Sequence, residues 1–285
     1  MTPQLHDTPR NDWVDRTGSQ HPLPTASLNP LGFLYKTLVA TELELRKLRH
    51  DPSQLLTRAV QPALWLLVFG QVFGRLRAIP TGDLSYLEFM TAGILAQSIL
   101  FMSIFTGLSV IWERDLGILH KLMVSPTPRA ALILGKGIAA GIRSLSQAVV
   151  VYGLAIGLGV GLSWDPLHLL GVMLAVMLGA GVFSALSLIV ACGVRTHERF
   201  MGVGQLLTMP LFFASNAIYP MELMPGWLQV LALINPLTYL VDALRGLMLS
   251  VDGSIYPFGL NVLILAIATA VLSAVGGRLY PRLVR

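Results

Sequence analysis

The sequence has 285 residues, of which 54% are hydrophobic and only 12% are charged, with a formal net charge of +5. Soluble domains carry about 25% charged residues, so this composition excludes a soluble globular protein and indicates an integral membrane protein. The single cysteine, Cys192, lies in an apolar run, which excludes an internal disulfide or a cysteine-based metal site.

The first 50 residues contain a polar tail followed by a segment of amphipathic character. Residues 1–30 hold prolines and charges but lack the apolar core of about 7–15 residues that a secretory signal requires, so we expect a polar cytosolic tail. From Leu31 to His50, leucines are mixed with Glu42, Glu44, Arg46, Lys47 and Arg49. This mixture predicts an amphipathic helix at the membrane surface. We expect residues 31–285 to form one transmembrane domain.

Six apolar runs of about 20 residues predict membrane-spanning helices. They cover residues 55–74, 87–112, 138–162, 167–192, 201–220 and 257–279. A further apolar region, 225–249, is interrupted by Asn235-Pro236. Because the residue before a proline avoids the helical region, we expect two short re-entrant helices, whose irregular backbone is tolerated only inside protein or beside water. The predicted fold is an all-α polytopic membrane protein.

The Lys and Arg residues indicate the direction of the spans, because cytosolic loops of membrane proteins carry an excess of both. With the N-terminus in the cytosol, 17 basic residues lie on the cytosolic side, and the other three are Arg75, Arg77 and Arg245. This bias predicts six spans with both termini cytosolic, and it accounts for the net charge without a nucleic-acid partner. Lys136 and Arg143 would extend from the third span to the lipid headgroups.

A compact charged stretch lies in the predicted cytosolic connection between the second and third spans. A helix over Glu113–Met123 places most of its apolar side chains on one face, and Pro126 and Pro128 end it. Such a helix either rests on lipid or docks on a cytosolic partner with Glu113 and Lys121 at the rim. Mixed charges favour docking, since lipid-bound faces are usually rich in Lys and Arg. The candidate docking residues are Glu113, Arg114, Asp115, Leu116, Leu119, His120, Lys121 and Met123.

Two predicted spans carry polar and aromatic residues along one face. The candidates are Gln205, Thr208, Phe212, Ser215, Asn216 and Tyr219 in the fifth span, and Thr91, Ser98, Met102 and Phe105 in the second. Polar side chains are costly in hydrocarbon, so these faces either line a path for an amphipathic substrate or form interhelical hydrogen bonds. Asp242 and Arg245, three residues apart in the second short helix, are expected to form a structural ion pair.

Motifs for catalysis are absent from the sequence. Gly135-Lys136 is followed by Gly137, and position 130 is alanine, so no phosphate-binding G-x-x-x-x-G-K-[ST] loop occurs. No H-E-x-x-H motif is present, and the six histidines form no cluster at metal-ligand spacing. We therefore expect no catalytic residues, no metal and no cofactor bound by this chain.

The order of these parts resembles the membrane subunit of type-2 ABC transporters, the exporter permeases that include the daunorubicin-resistance and nodulation-factor types. The likeness covers about residues 30–285. It rests on "ERDLGILHKLMVSPTPR", similar to the family's coupling segment; on "ASNAIYPMELMPGWLQVLALINPLTYLVDALRGLM", similar to its signature before the last span; and on Leu31–His50, similar to its connecting elbow helix. The polar tail is an addition that the family pattern does not require.

The resemblance implies a multi-pass permease in a bacterial plasma membrane. It further implies a dimer with a second copy or a similar chain, and two separate ATPase subunits that bind ATP and Mg²⁺. Substrate would cross between the two copies near spans two and five, and the charged helix would lie in a groove of the ATPase. The substrate would be an amphipathic drug, lipid or glycoconjugate moved outward, with membrane lipids as neighbours.

Two alternatives come from other functional classes. A secondary transporter driven by an ion gradient would need an ionisable site within the membrane, yet deep acidic residues are nearly absent, since Glu88 lies near the outer end of span two. An intramembrane lipid-modifying enzyme would need a nucleophile or a pair of carboxylates that converge, and the sequence shows neither. An ABC exporter permease is therefore the function that the sequence favours.

Overall fold

The computed structural model describes residues 35, 37–39, 41–42, 60–76, 79–82, 84–117, 129–194, 196–249 and 253–280. Regular structure in these residues is helical, apart from one isolated antiparallel bridge between Leu162 and Leu249. The helices are α1 (60–76, with a π-helical portion at Trp65–Gly70), α2 (Tyr86–Asp115), α3 (Arg129–Gly157), α4 (Pro166–Gly193), α5 (His197–Phe213), α6 (Gly226–Ile234), α7 (Pro236–Met248) and α8 (Phe258–Leu279).

Four of the described helices, α2, α3, α4 and α8, are long and apolar enough to cross a membrane. The bent pair of α6 and α7 raises this number to five if it counts as one span. Helices α2, α4 and α8 begin and end within three residues of the apolar runs 87–112, 167–192 and 257–279, whereas α3 begins at Arg129 rather than at 138. The predicted total of six spans is not confirmed in the described part of the chain.

Helix α5 is shorter than the predicted span 201–220. It begins at His197, where the Thr196 hydroxyl accepts a hydrogen bond from the Arg199 N–H (3.4 Å), and it ends at Phe213 after Pro210. A helix of 17 residues is about 26 Å long, slightly less than the hydrocarbon core of about 30 Å. Residues 214–217 then form turns rather than a further helical turn.

The segment predicted as an elbow helix falls partly outside the described residues. At positions 35, 37–39 and 41–42 the backbone is helical. The Thr41 hydroxyl hydrogen-bonds the Thr37 carbonyl (2.9 Å) and lies 3.4 Å from the Gly135 carbonyl of α3. This part of the segment therefore packs on the start of α3.

Helix α4 lies at the centre of the bundle, in contact with α2, α3, α7 and α8. Glycines let its neighbours approach closely: a Cβ added at Gly179 would lie 2.6 Å from Leu240 of α7. On the α2 side, the Ser187 hydroxyl accepts a hydrogen bond from the Gly107 N–H (2.9 Å) and donates one to the Ile104 carbonyl (2.6 Å). Small residues at helix contacts, joined by polar groups, are the usual means of packing helices without a hydrophobic driving force.

The predicted break at Asn235-Pro236 is confirmed. Asn235 is extended, with φ −78° and ψ 115°, and the axes of α6 and α7 differ by 80°. Its side chain stabilises the bend: Oδ1 accepts a hydrogen bond from the Leu237 N–H (3.0 Å), and Nδ2 donates one to the Leu211 carbonyl (2.6 Å). The side-chain amide of Asn235 therefore caps the start of α7 and also binds the end of α5.

Asp242 does not pair with Arg245 as predicted. Its carboxylate accepts hydrogen bonds from the backbone N–H groups of Ile255 (2.7 Å) and Tyr256 (3.0 Å) and from Nδ2 of Asn261 (2.8 Å). Asp242 is fully buried, and these three donors satisfy it. Its role is to fasten the start of α8 to α7.

Arg245, the other member of the predicted pair, lies against α2 and the turn after α5. Its Nη2 donates to the Asn216 carbonyl (2.7 Å), and its Cζ lies 3.7 Å from the centroid of the Phe89 ring. Residues three apart on a helix can pair, but here the tertiary structure offers each side chain other partners. The two side chains thus make separate hydrogen bonds from α7, although the Asp242 carboxylate still interacts electrostatically with the Arg245 guanidinium.

Candidate functional site

Helices α1, α2, α3 and α5 surround a pocket of about 440 Å³. It lies beside the middle third of α2, far from both ends of that helix. Its volume is within the range of small-molecule sites, about 300–1,000 Å³. The lining residues are Gln61, Pro62, Gln97, Ser98, Phe101, Met102, Ile104, Phe105, Gln147, Phe200, Met201, Gly204, Gln205, Thr208 and Met209.

Most of the pocket surface is apolar, and its hydroxyl groups are already bonded. The Ser98 hydroxyl donates to the Ile94 carbonyl (2.8 Å), and the Thr208 hydroxyl donates to the Gly204 carbonyl (3.0 Å). Hydroxyl groups in helices commonly bond the carbonyl four residues earlier. The polar groups still available for recognition are therefore mainly the glutamine amides.

Half of the residues predicted for a substrate path meet at this pocket. They come from both predicted faces and are Ser98, Met102, Phe105, Gln205 and Thr208. The two polar faces predicted on spans two and five therefore do converge.

The other half of the predicted path residues lie elsewhere. The Thr91 hydroxyl donates to the Leu87 carbonyl (2.7 Å), the Ser215 hydroxyl to the Phe212 carbonyl (2.7 Å), and the Tyr219 hydroxyl to the Phe213 carbonyl. Each of these bonds lies within one segment of the chain, so they are not the interhelical hydrogen bonds of the alternative interpretation. The predicted face does not continue beyond Phe213. Helix α5 ends there, so the later residues no longer lie on one face of a helix.

Phe212 and Asn216 complete the set of path residues that the pocket does not include. Phe212 is buried, with its ring centroid 6.1 Å from that of Trp65 in an edge-on arrangement. Asn216 is fully buried and its carbonyl accepts the hydrogen bond from Arg245, but its side-chain amide has no partner among the described residues. Both residues are buried and therefore contribute to packing.

Two glutamines of the pocket, Gln97 and Gln147, escaped the sequence-based prediction. Both are buried, with exposures of 5% and 1%. Neither the amide oxygen nor the amide nitrogen of Gln147 has a hydrogen-bond partner within the described residues. A strongly polar residue inside an apolar run is a signal that could have pointed to Gln147, but its facing direction required the structure.

The pocket offers no acid–base or ion-binding chemistry. Its described lining residues include no Asp, Glu, Lys, Arg or His. Within the described residues, no group of three or more His, Cys, Asp or Glu side chains could hold a metal ion.

The predicted docking segment begins differently from the expectation of one helix over Glu113–Met123. Residues 113–115 form the last turn of α2, which ends at Asp115. Gly117 has φ +70°, the left-handed conformation that commonly terminates a helix. The remaining candidates Leu119, His120, Lys121 and Met123 lie outside the described residues.

Glu113 was predicted to lie at an exposed rim and Lys136 to reach the headgroups, but the structure buries both. Lys136 Nζ lies 2.9 Å from each carboxylate oxygen of Glu113, and both side chains are about 5% exposed. The pair joins the end of α2 to the first turns of α3. A charge buried in this way needs its partner, since an unpaired ion in the protein interior is strongly destabilising.

Arg114 and Asp115 fasten the end of α2 to the connection between α4 and α5. Arg114 pairs with Asp115 (3.1 Å) and its Nη1 lies 3.4 Å from the Val194 carbonyl. Asp115 lies 3.6 Å from His197 Nδ1, and the His197 ring contacts Trp112 edge-on with centroids 5.2 Å apart. Together with the Glu113–Lys136 pair, these contacts connect the end of α2 to the starts of α3 and α5.

Leu116 is the one predicted docking residue in the described part of the chain that is both apolar and open. It caps α2 and is 71% exposed. Its neighbours Glu113, Arg114 and Asp115 are all engaged in contacts within the chain. In the described part of the segment, Leu116 is thus an exposed apolar side chain beside the half-exposed carboxylate of Asp115.

Comparison with known proteins agrees with this architecture. The family model described as ABC-2 type transporter matches residues 35–249. The chain is 29% identical over 234 residues to the daunorubicin resistance ABC transporter permease protein DrrB1 of Streptomyces coeruleorubidus, with 81% of each chain covered. It is 27% identical over 215 residues to the doxorubicin resistance ABC transporter permease protein DrrC of Mycobacterium tuberculosis, covering 75% of this chain and 77% of that relative.

Proposed function

The chain belongs to the ABC-2 type transporter family, and from this membership we propose that it is the permease subunit of an ATP-binding cassette exporter. It would act as a dimer, with a second copy or a similar chain, and with separate ATPase subunits that bind ATP and Mg²⁺. Its place would be a bacterial plasma membrane. Its substrate would be amphipathic, a drug, a lipid or a glycoconjugate. Membership of a family with drug-resistance permeases among the relatives supports this proposal.

The observation that carries the proposal is the pocket where the polar faces of α2 and α5 meet. An apolar wall with a few amides suits a molecule with an apolar body and a polar group. The same pocket argues against an ion-coupled transporter, because no ionisable side chain occurs among its described lining residues. Its described lining residues include no pair of carboxylates, and the hydroxyls of Ser98 and Thr208 donate to carbonyls of their own helices, which does not favour an enzyme.

The links at the end of α2 suggest how a partner could act on this pocket. Helices α2 and α5 both line it, and the Asp115–His197 contact joins the end of one to the start of the other. A push on the segment after Asp115 would move α2, α3 and α5 together. ATP-driven closure of the ATPase subunits would thereby change the pocket between two arrangements.

The proposed topology has six spans and two cytosolic termini. Its support is the excess of basic residues on one side, with α1, α5 and the bent α6–α7 pair to be placed relative to the membrane. We expect reporter fusions after residue 2 and after residue 285 to be active only in the cytosol. Activity of either reporter on the outer side would contradict the topology.

The segment after Asp115 is proposed to dock on the ATPase through its apolar residues. We expect Leu119→Asp to abolish co-purification of the ATPase, because a buried apolar anchor carries most of an interface's affinity. Lys121→Ala should weaken the complex less, and its effect should shrink at high salt, since rim charges mainly affect association. The measurement is recovery of the ATPase with the tagged permease at low and high salt.

The control for this experiment is Leu206→Asn, a polar change at an exposed position of α5 outside the docking segment. It should leave the ATPase bound, and both variants should insert and migrate as the wild type does in size-exclusion chromatography. If Leu119→Asp keeps the ATPase bound, with substrate-stimulated ATP hydrolysis intact, the segment rests on lipid and the docking proposal fails.

A further inference from the structure

The amide of Gln147 is an unexplained feature of the pocket. Its side chain is almost completely buried, it lines the pocket, and neither of its polar atoms is bonded within the described residues. A primary amide has two donor hydrogens and one acceptor oxygen. Leaving such a group unpaired in the protein interior is unfavourable, so the position calls for a complementary partner.

The residues around Gln147 indicate that its partner carries no charge. Among the described lining residues there is no charged side chain to neutralise an anion or a cation. Transfer of an unpaired charge into such a site is strongly unfavourable. The hydroxyls of Ser98 and Thr208 already donate to carbonyls of their own helices. A partner must therefore be uncharged and must satisfy a donor and an acceptor together.

The apolar lining of the pocket indicates the character of the rest of the bound molecule. Phe101, Phe105 and Phe200 contribute aromatic surface, and Met102, Met201 and Met209 contribute flexible thioethers. Aromatic rings and methionines adapt to flat apolar molecules. A volume of about 440 Å³ is enough for a compact aromatic molecule, and the second buried amide, that of Gln97, lies on the same surface.

We infer that Gln147 is a specificity-determining residue that selects uncharged amphipathic substrates with an adjacent hydrogen-bond donor and acceptor, such as a carboxamide or lactam on an aromatic body. The amide of the substrate pairs with the amide of Gln147, and its aromatic body lies on the phenylalanines. Anions and ammonium compounds are rejected at this step. This inference rests on the pocket being the substrate path, and it narrows the proposed substrate class.

The test is equilibrium dialysis with the purified full chain in lipid nanodiscs, with protein-free nanodiscs subtracted. The probes are 1-naphthaleneacetamide, the methyl ester of 1-naphthaleneacetic acid, and the 1-naphthaleneacetate anion at pH 7. The amide should bind about tenfold more tightly than the ester, which has no N–H for the Gln147 oxygen. The anion should bind least.

Two kinds of variant distinguish the contribution of the Gln147 amide from that of the pocket volume. Gln147→Leu, or Gln147→Met if the leucine variant misfolds, should make the amide and the ester bind equally. Gly204→Leu would fill the pocket, because a Cβ there already lies 3.5 Å from Ile104 across it, and should weaken both probes. Gly202→Leu is the matched control on the same helix, with nothing within 4 Å of its added Cβ, and should weaken neither.

Several results would overturn the inference. They are equal binding of amide and ester to the wild type, a preference that survives Gln147→Leu, tightest binding of the anion, or no binding of any probe. Because the assay contains no ATPase, loss of the proposed docking function in Leu119→Asp would leave its outcome unchanged. Failure of the exporter proposal and failure of the Gln147 assignment are thus distinguishable.

Discussion

Removing one member of the buried Glu113–Lys136 pair should destabilise the chain more than any surface change. We expect Glu113→Ala to lower the free energy of unfolding by about 3–5 kcal/mol, because it removes from the buried Lys136 ammonium the carboxylate that both its short contacts reach. Both oxygens of Glu113 lie 2.9 Å from Nζ in the structure. The measurement is unfolding in mixed micelles with increasing dodecyl sulfate, followed by circular dichroism.

A double variant tests whether the loss of stability comes from breaking this contact between two buried charges. Glu113→Leu combined with Lys136→Met removes both charges and should recover most of the lost stability, since buried ion pairs can often be replaced by apolar side chains. Glu198→Ala, an exposed carboxylate in the first turn of α5, should change stability by less than about 0.5 kcal/mol. If Glu113→Ala resembled Glu198→Ala, the pair would have no structural role.

Gly93→Ala should also be severely destabilising. A Cβ at this position would lie 2.1 Å from the carbonyl oxygen of Ala217 and 2.8 Å from its carbonyl carbon and Cα. These are backbone atoms, and the neighbouring Asn216 carbonyl is held by Arg245 (2.7 Å), so the turn after α5 has little freedom to move. Overpacking generally costs about 1–3 kcal/mol, and we expect a loss of about 3 kcal/mol or more here.

The matched control for Gly93→Ala is Gly153→Ala on α3. Gly153 also lies within a long helix, but nothing lies within 4 Å of its added Cβ. We expect no loss of stability there, because alanine favours the helix over glycine. Thermal unfolding of the two variants in the same detergent compares them directly. If Gly93→Ala lost as little stability as we expect of Gly153→Ala, α2 would be able to shift away from Ala217 at little cost.

Features that depend on local chemistry were predictable from the sequence. Composition and apolar runs identified a polytopic membrane protein and placed α2, α4 and α8 to within a few residues, because a bilayer imposes the length of an apolar helix. Proline geometry located the break between α6 and α7, because it restricts the residue before it. The segment 214–248 carried the family resemblance that the ABC-2 type transporter match supports.

Features that depend on which helix faces which were decided only by the tertiary structure. A helical period relates residues on one helix, but it does not identify the neighbour that covers them. Glu113 and Lys136 were therefore assigned to exposed roles, although they pair between helices, and Asp242 and Arg245 were paired, although each has partners on other segments.

The pocket illustrates the same limit. The polar faces of α2 and α5 were visible in the sequence, and five of their residues do meet there. Gln147 on α3 was missed, because an isolated amide has no pattern until the packing of three helices places it beside the others. The predicted polar face also extended beyond Phe213, where α5 ends. Backbone carbonyls near this helix end accept hydrogen bonds from the side chains of Asn235 and Arg245. Local sequence determined the helices, and their mutual packing determined the site.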